Sequence, residues 1–262
     1  QFDVVVYGEG EITFLQLCQA FVATAAYDEI DGLVFRSADG AVVKTAPRER
    51  IVDINDIPVP AWDLLPPARQ YFIQAQRGCP FSCKFCMNPG GKFVRHRTAE
   101  SVIDEIRDLA VNYGAKKILY GDEIFTVDLP WTKDLVRKKI ANNLHQLVEW
   151  SATTHVRFID DELCELMKAS NCSGVGLGIE TGSEDHLKKV GKGTTIELML
   201  RARECTRRAN LWTETFCILG QIDETLESLK ATIDLVIKLN PDLPIFGIMV
   251  PYPGTEVARL AA

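Results

Sequence analysis

No stretch of this chain stays apolar for the roughly 18 residues that a membrane helix needs, because charges interrupt every candidate. Excess positive charge is missing too. The 29 Lys and Arg stand against 36 Asp and Glu, a net −7, which argues against the broad basic footprint of a nucleic-acid or anionic-membrane binder. No signal peptide opens the sequence, and Gln1 is not an initiator, as in a piece cut from a longer chain. A disulfide framework is not expected, since the eight cysteines are spread through 262 residues rather than packed into a small secreted domain. Cys18, Cys164, Cys172, Cys205 and Cys217 each fall in an apolar helical or strand setting. They read as reduced core residues of a cytoplasmic protein. What remains is an ordinary soluble composition, 47% apolar and 25% charged, in a chain long enough to bury a sizeable core.

Two further absences narrow the chemistry of the other three cysteines. Cys79, Cys83 and Cys86 stand at a C-x3-C-x2-C spacing in one short loop, after the alternating run 71–76. A second C-x2-C or a paired H-x3-5-H, the usual mark of a zinc site, does not follow. A fourth nearby cysteine, which a simple iron–sulfur electron carrier would want, is missing as well. Three thiolates on one cubane leave one iron without a protein ligand, and an open coordination position marks a catalytic metal centre rather than a closed structural one. A 4Fe–4S cluster with a free iron is the expectation.

The first 66 residues form a distinct segment. A buried strand over 2–7 runs into Gly8-Glu9-Gly10-Glu11 and a helix-period stretch, 13–23. Residues 31–45 read as a hairpin turning at Asp39-Gly40. Pro58, Pro60, Pro66 and Pro67 then punctuate an extended linker. From residue 67 strands alternate with helices. Strands are expected near 71–76, 117–121, 147–152, 174–180, 212–219 and 245–250, and helices near 98–113, 131–144, 160–170, 195–209 and 223–239. Repeating β–α units imply a parallel sheet with right-handed crossovers. Six units make a partial (β/α)6, TIM-like barrel, since a closed eightfold barrel takes about 250 residues.

The trio, with Phe85 just before its last cysteine, resembles the signature of the radical S-adenosylmethionine (radical SAM) superfamily, and the partial barrel is that family's core fold. The resemblance implies that S-adenosylmethionine chelates the open iron and is cleaved by the reduced cluster to a 5′-deoxyadenosyl radical. An electron donor such as flavodoxin or ferredoxin is then needed. Residues 1–66 resemble the tail of the Rossmann-like cobalamin-binding domain that precedes the barrel in one branch of the family. The Asp-x-His-x-x-Gly motif of that domain is absent; His96, His145, His155 and His186 all fail the spacing. Cobalamin is therefore expected in the full-length protein, not on this chain alone.

In α/β barrels the working residues gather at the C-terminal ends of strands. The second barrel strand ends in Gly121-Asp122-Glu123, which resembles the family's Gly-Gly-Glu stretch that holds the methionine amino group. Ser151 and Arg157 lie near the end of the third. A guanidinium can clamp a carboxylate, although an ion pair with Asp160 or Asp161 would serve as well. The fourth strand ends in Glu180-Thr181-Gly182-Ser183, where Glu180 and Ser183 are placed to bond ribose hydroxyls. The fifth carries Gly220-Gln221-Ile222-Asp223-Glu224-Thr225 where the family has Gly-x-Pro-Gly-Glu-Thr. Tyr120, Trp150, Trp212, Phe216 and Phe246 are candidate barrel-lining residues, although each of these types is more often simple core.

The function implied is reductive cleavage of S-adenosylmethionine, coupled to cobalamin-dependent methyl transfer to an unactivated carbon of a small-molecule or natural-product substrate. Two alternatives share these residues: a radical SAM cyclase or rearrangement enzyme without methyl transfer, and a non-catalytic iron–sulfur module.

Overall fold

Alternation of apolar and polar residues with a period of two from Gln70, interrupted by amphipathic helices, places one face of each strand under a helix. A computed structural model describes residues 2–261. It divides into two compact units, one through Pro58 and one from Val59.

In the first unit, β1 (Val4–Val6) leads into α1 (Glu11–Ala23), and β2 (Leu33–Arg36) and β3 (Val42–Lys44) form the expected hairpin. β1 joins that hairpin antiparallel to β2. Its strand is not the buried one expected: Val5 is 44% exposed. Cys18, read as a core residue, is exposed on α1.

In the second unit, β4 (Gln70–Ile73) is followed by a short antiparallel pair, β5 (Gln76–Arg77) and β6 (Arg95–His96), which closes the cysteine loop at its base. Then come α2 (Ala99–Asn112), β7 (Lys117–Tyr120), α3 (Leu129–Ala141), β8 (Glu149–Thr154), α4 (Asp161–Ala169) and β9 (Cys172–Glu180). α5 (Glu184–Val190), α6 (Ile196–Arg208), β10 (Trp212–Leu219), α7 (Leu226–Leu239), β11 (Leu243–Ile248) and α8 (Glu256–Ala261) complete the order. The six strands β4, β7, β8, β9, β10 and β11 pair in sequence order and in parallel, with β4 and β11 at the edges. This is the expected open, partial barrel. The boundary before it falls eight residues earlier than the proline pattern suggested, because Trp62 of the linker packs edge-on against Tyr71 and donates its indole N–H to Glu105 at 3.1 Å.

Register decides which side chains line the sheet's inner face. Tyr120 pairs with Ala152, and both lie on the outer face with Ile118, Trp150 and Leu177, packed under the helices. Phe125 stacks on Tyr120, and Trp150 donates its N–H to Ser170. Tyr120 and Trp150 are thus core residues, not barrel lining. Phe246 pairs with Cys217 and shares its outer face. Only Trp212 and Phe216, which stand on the inner face beside Gly174 and Gly176, keep the expected position. The one-residue alternation of a strand makes this an all-or-nothing sorting.

Candidate active site

The cysteine loop is tied at both ends before any metal is considered. Gly78 adopts φ +103, and a Cβ there would lie 2.1 Å from the Phe93 carbonyl oxygen, so only glycine lets the two arms approach. The Gly78 N–H donates to Glu123 Oε2 at 3.2 Å and the Cys79 N–H to the Gly91 carbonyl at 2.8 Å. Asn88, in a left-handed turn, donates its amide to the Cys79 carbonyl at 2.8 Å, while its own N–H meets Cys86 Sγ at 3.3 Å.

None of the three thiols is in a disulfide; Cys79 and Cys83 are half-buried and Cys86 is exposed, with Phe85 half-buried between the last two. Burial pushes the Cys83 thiol up to about 11, and the nearby Cys79 and Cys86 sulfurs add to the shift. The Cys83 thiol is therefore protonated at neutral pH, and ligating a metal centre must release its proton. Among the described residues no three His, Cys, Asp or Glu side chains converge on one metal-ion position. A cubane takes one thiolate per iron, and three free thiols on one short loop are a donor set of that kind.

Gly121, Asp122 and Glu123 follow β7, as expected. Asp122 is 5% exposed, and its Oδ1 accepts the N–H groups of Ala75 and Gln76 at 2.8 and 3.1 Å, which pins the start of the cysteine hairpin. Its other oxygen has no hydrogen-bond partner among the described residues. Expected from the sequence to serve a cofactor rather than the fold, it is spent in part on the chain. Burial holds its carboxyl up at about 7. A raised carboxyl stabilises the fold below its unfolded value near 4, and that contribution is lost as pH rises to 7. Asp122→Asn keeps an Oδ1 for both N–H groups. The variant is expected to gain stability relative to the parent progressively between pH 4 and 7, as read by urea denaturation across that range. A constant difference would refute the assignment. Gly121 has space above it, since a Cβ would come no closer than 3.7 Å to the Ile73 oxygen.

β8 runs to Thr154, past Ser151, so Arg157 lies beyond the strand in a 3-10 turn. It pairs with neither Asp160 nor Asp161; those cap α4 and bond Arg208, respectively. Its guanidinium donates to the Gly193 carbonyl and lies 5.8 Å over the Phe81 ring. Phe81 also stacks on His155, with centroids 4.4 Å apart and rings nearly parallel. His155 accepts the Arg157 N–H on Nδ1, which leaves Nε2 to donate to the Lys192 carbonyl at 3.2 Å. The tautomer is set by these partners. Burial first, then the Lys192 charge, hold its pKa down at about 4, so the ring stays neutral.

At the end of β9, Glu180 takes a left-handed φ of +66. That conformation folds its carboxylate back over Gly178, where it forms a buried ion pair with Lys192. Lys192 Nζ also donates to the Gly178 carbonyl at 2.9 Å. A Cβ on Gly178 would sit 2.1 Å from that nitrogen, so the strand is glycine here to admit the pair. Both charges act on the Cys83 thiol, which places the pair beside the cysteine loop. Ser183 is half-buried and caps α5 by accepting the His186 N–H at 3.5 Å.

Sequence reasoning missed Lys192, His155 and Gln221. Gln221 bridges the β9 and β10 ends, with its amide near the carbonyls of Glu180 (3.4 Å) and Ile218 (3.1 Å). In the same turn Asp223, where the family pattern has glycine, adopts a left-handed φ of +61. The glycines around Lys192 were the available signal for that residue.

A sequence profile of the Radical SAM superfamily matches residues 73–236. Over 268 residues the chain is 33% identical to an uncharacterized methyltransferase of Pyrococcus horikoshii, covering 99% of this chain and 58% of that protein. It is 29% identical to the anaerobic magnesium-protoporphyrin IX monomethyl ester cyclase of Cereibacter sphaeroides, covering 97% of this chain and 44% of the cyclase. The radical S-adenosylmethionine methyltransferase TsrM of Kitasatospora setae, solved with tryptophan and a SAM analog bound, superposes with a TM-score of 0.78 at 21% identity. That match covers 97% of this chain and 53% of TsrM. The chain spans about half the length of such relatives. With the profile running from the first barrel strand into α7, the chain belongs to the radical SAM superfamily.

Proposed function

We propose that this chain is the catalytic core of a cobalamin-dependent radical SAM methyltransferase acting on a small organic molecule. The observation that carries the reading is the gathering of the three-thiol loop, Asp122 and Glu123, and the Glu180–Lys192 pair at one end of a parallel sheet. When bound, the cluster and S-adenosylmethionine supply a radical able to take hydrogen from an unactivated carbon. The chain's part is binding and positioning. Cys79, Cys83 and Cys86 would each hold one iron, and the Asn88 N–H stabilises the Cys86 thiolate. Phe85, half-buried between Cys83 and Cys86, would flank the cluster. Gly121, Asp122 and Glu123 offer the methionine ammonium a strand end with acidic character. Arg157 and Lys192 are the cations suited to its carboxylate, and Glu180 and Ser183 the groups suited to ribose.

Methyl transfer is favoured over cyclisation by the higher identity to the methyltransferase than to the cyclase. Cobalamin would be held by the longer protein, which also fits a cytoplasmic enzyme fed by flavodoxin or ferredoxin. No helix among the described residues is long and apolar enough to cross a membrane.

Anaerobic reconstitution should load about four irons and four sulfides per chain, and dithionite should then drive cleavage of S-adenosylmethionine. The Cys79/Cys83/Cys86→Ala variant should lose both. Iron content and absorption unchanged in that variant would end the reading. Equilibrium dialysis of this chain with hydroxocobalamin should show weak binding or none; tight stoichiometric binding would place the cobalamin pocket within these residues.

A further inference from the structure

The inner face of the sheet holds a cavity of about 590 Å³, lined on one side by Trp212 and Glu214 of β10 and on the other by Leu119, Ser151 and Thr153. Its polar groups are unevenly satisfied. Lys117, at the far edge, is neutralised by Glu149 at 3.3 Å. Glu214 meets no cation or hydrogen-bond donor among the described residues, although its neighbours Thr213 and Thr215 are fully buried on the opposite face. The cavity thus keeps one uncompensated negative charge. Beside that carboxylate, Trp212 is 49% exposed, its side chain lying against Gly174, where a Cβ would come within 3.1 Å of it. An indole next to an unpaired carboxylate is the arrangement that binds an ammonium group, by ion pairing and by attraction to the ring face.

The register measures how far such a ligand must reach. Phe216 follows Glu214 on the same face, and Cys217, one residue on, is level with Glu180. Three residues of strand rise about 10 Å. A cation at Glu214 therefore stands roughly 10 Å below the strand ends where the cysteine loop lies, with the Phe216 ring along the way.

We propose that the substrate carries an amine, charged at neutral pH, which Glu214 and Trp212 hold, and an apolar body that runs past Phe216 toward the strand ends. This rests on the radical SAM reading for the position of the chemistry, and names the substrate class for it. Glu214 and Trp212 are binding residues of the cavity; neither takes part in bond making.

The probes are 4-phenylbutylamine, 4-phenylbutanol and 4-phenylbutyrate, titrated calorimetrically into cluster-loaded protein. The amine should bind at least tenfold more tightly than the alcohol, and the acid not measurably. Glu214→Gln should weaken the amine at least tenfold while leaving the alcohol unchanged, and Trp212→Leu should weaken the amine severalfold. Equal binding of amine and alcohol by the parent, binding of the acid as tight as the amine, or no binding of the amine would overturn the proposal whether or not the variants fold. S-adenosylmethionine cleavage by the same preparations separates the two readings. Cleavage without amine selectivity discards this site alone, and amine selectivity without cleavage discards the activity and keeps the site.

Discussion

Lys192→Met is expected to destabilise the barrel unit by about 3–5 kcal/mol, the range seen when one partner of a buried ion pair is removed. The cost comes less from the lost attraction than from what is left behind. Glu180 is 6% exposed and held in place by a left-handed backbone, so its carboxylate cannot swing out to water without the β9 end rearranging. The Gly178 carbonyl loses its donor in the same step. Adding Glu180→Gln should recover a large part of the loss, because the double variant no longer buries an unpaired charge. Urea denaturation of the parent, both single variants and the double variant gives the coupling directly. A single-variant loss below about 1 kcal/mol would mean that water already reaches the pair. The same variant tests the cofactor role separately, since a lysine needed only for the fold would leave S-adenosylmethionine affinity intact in the fraction that remains folded.

The second large effect concerns a lysine with no counter-ion among the described residues. Lys139, on α3, is 1% exposed, and its ammonium donates to the carbonyls of Val148 and Ser170, each at 2.9 Å. Lys139→Met removes both bonds and leaves the buried Val148 carbonyl unsatisfied, at about 1–3 kcal/mol, while the Ser170 carbonyl keeps the Trp150 indole N–H at 3.1 Å. Methionine fills much of the vacated volume, so a net loss of roughly 1–3 kcal/mol is expected. The pH dependence has the opposite sign from that of a paired lysine. Burial holds this group down at about 8, against an ordinary value of 10.5. Between those values the unfolded chain keeps a proton that the folded chain has released, so the folded state gains stability as pH rises from 8 toward 10.5. The gap between parent and methionine variant should therefore widen over that window. A gap that narrows there would show that Lys139 is charged throughout.

How much of this was legible in the sequence follows from how local each feature is. The cysteine trio is contained in eight residues, and the strand ends at Asp122, Glu180 and Gly220 are each marked by a glycine or an acid in place. Element positions followed from periodicity, and most bounds shifted by one to three residues. What escaped detection was nonlocal. Lys192 matters because a chain turn brings it under Gly178, fourteen residues away in sequence, and His155 because Phe81 stacks on it from another loop. Trp150 and Phe246, barrel-lining candidates that could as well be core, lie on the outer face for a related reason. Aromatic identity does not reveal the parity of a strand, and β8 and β9 shift register between Trp150 and Ser151. Cys18 looked like core because its helix is apolar on several sides, yet the described residues leave it exposed.

The two-residue hairpin β5–β6 has a thermodynamic consequence for cluster assembly. It brings Arg77 and Arg95 together and so closes the segment between them. Closing a flexible loop of that length costs roughly 2.5 kcal/mol of chain entropy, a cost met when the barrel folds rather than when metal arrives. The affinity of the three thiols for iron and sulfide is thus largely insulated from the folding equilibrium. Loss of the cluster to oxygen or a chelator should leave a closed receptacle that refills without refolding.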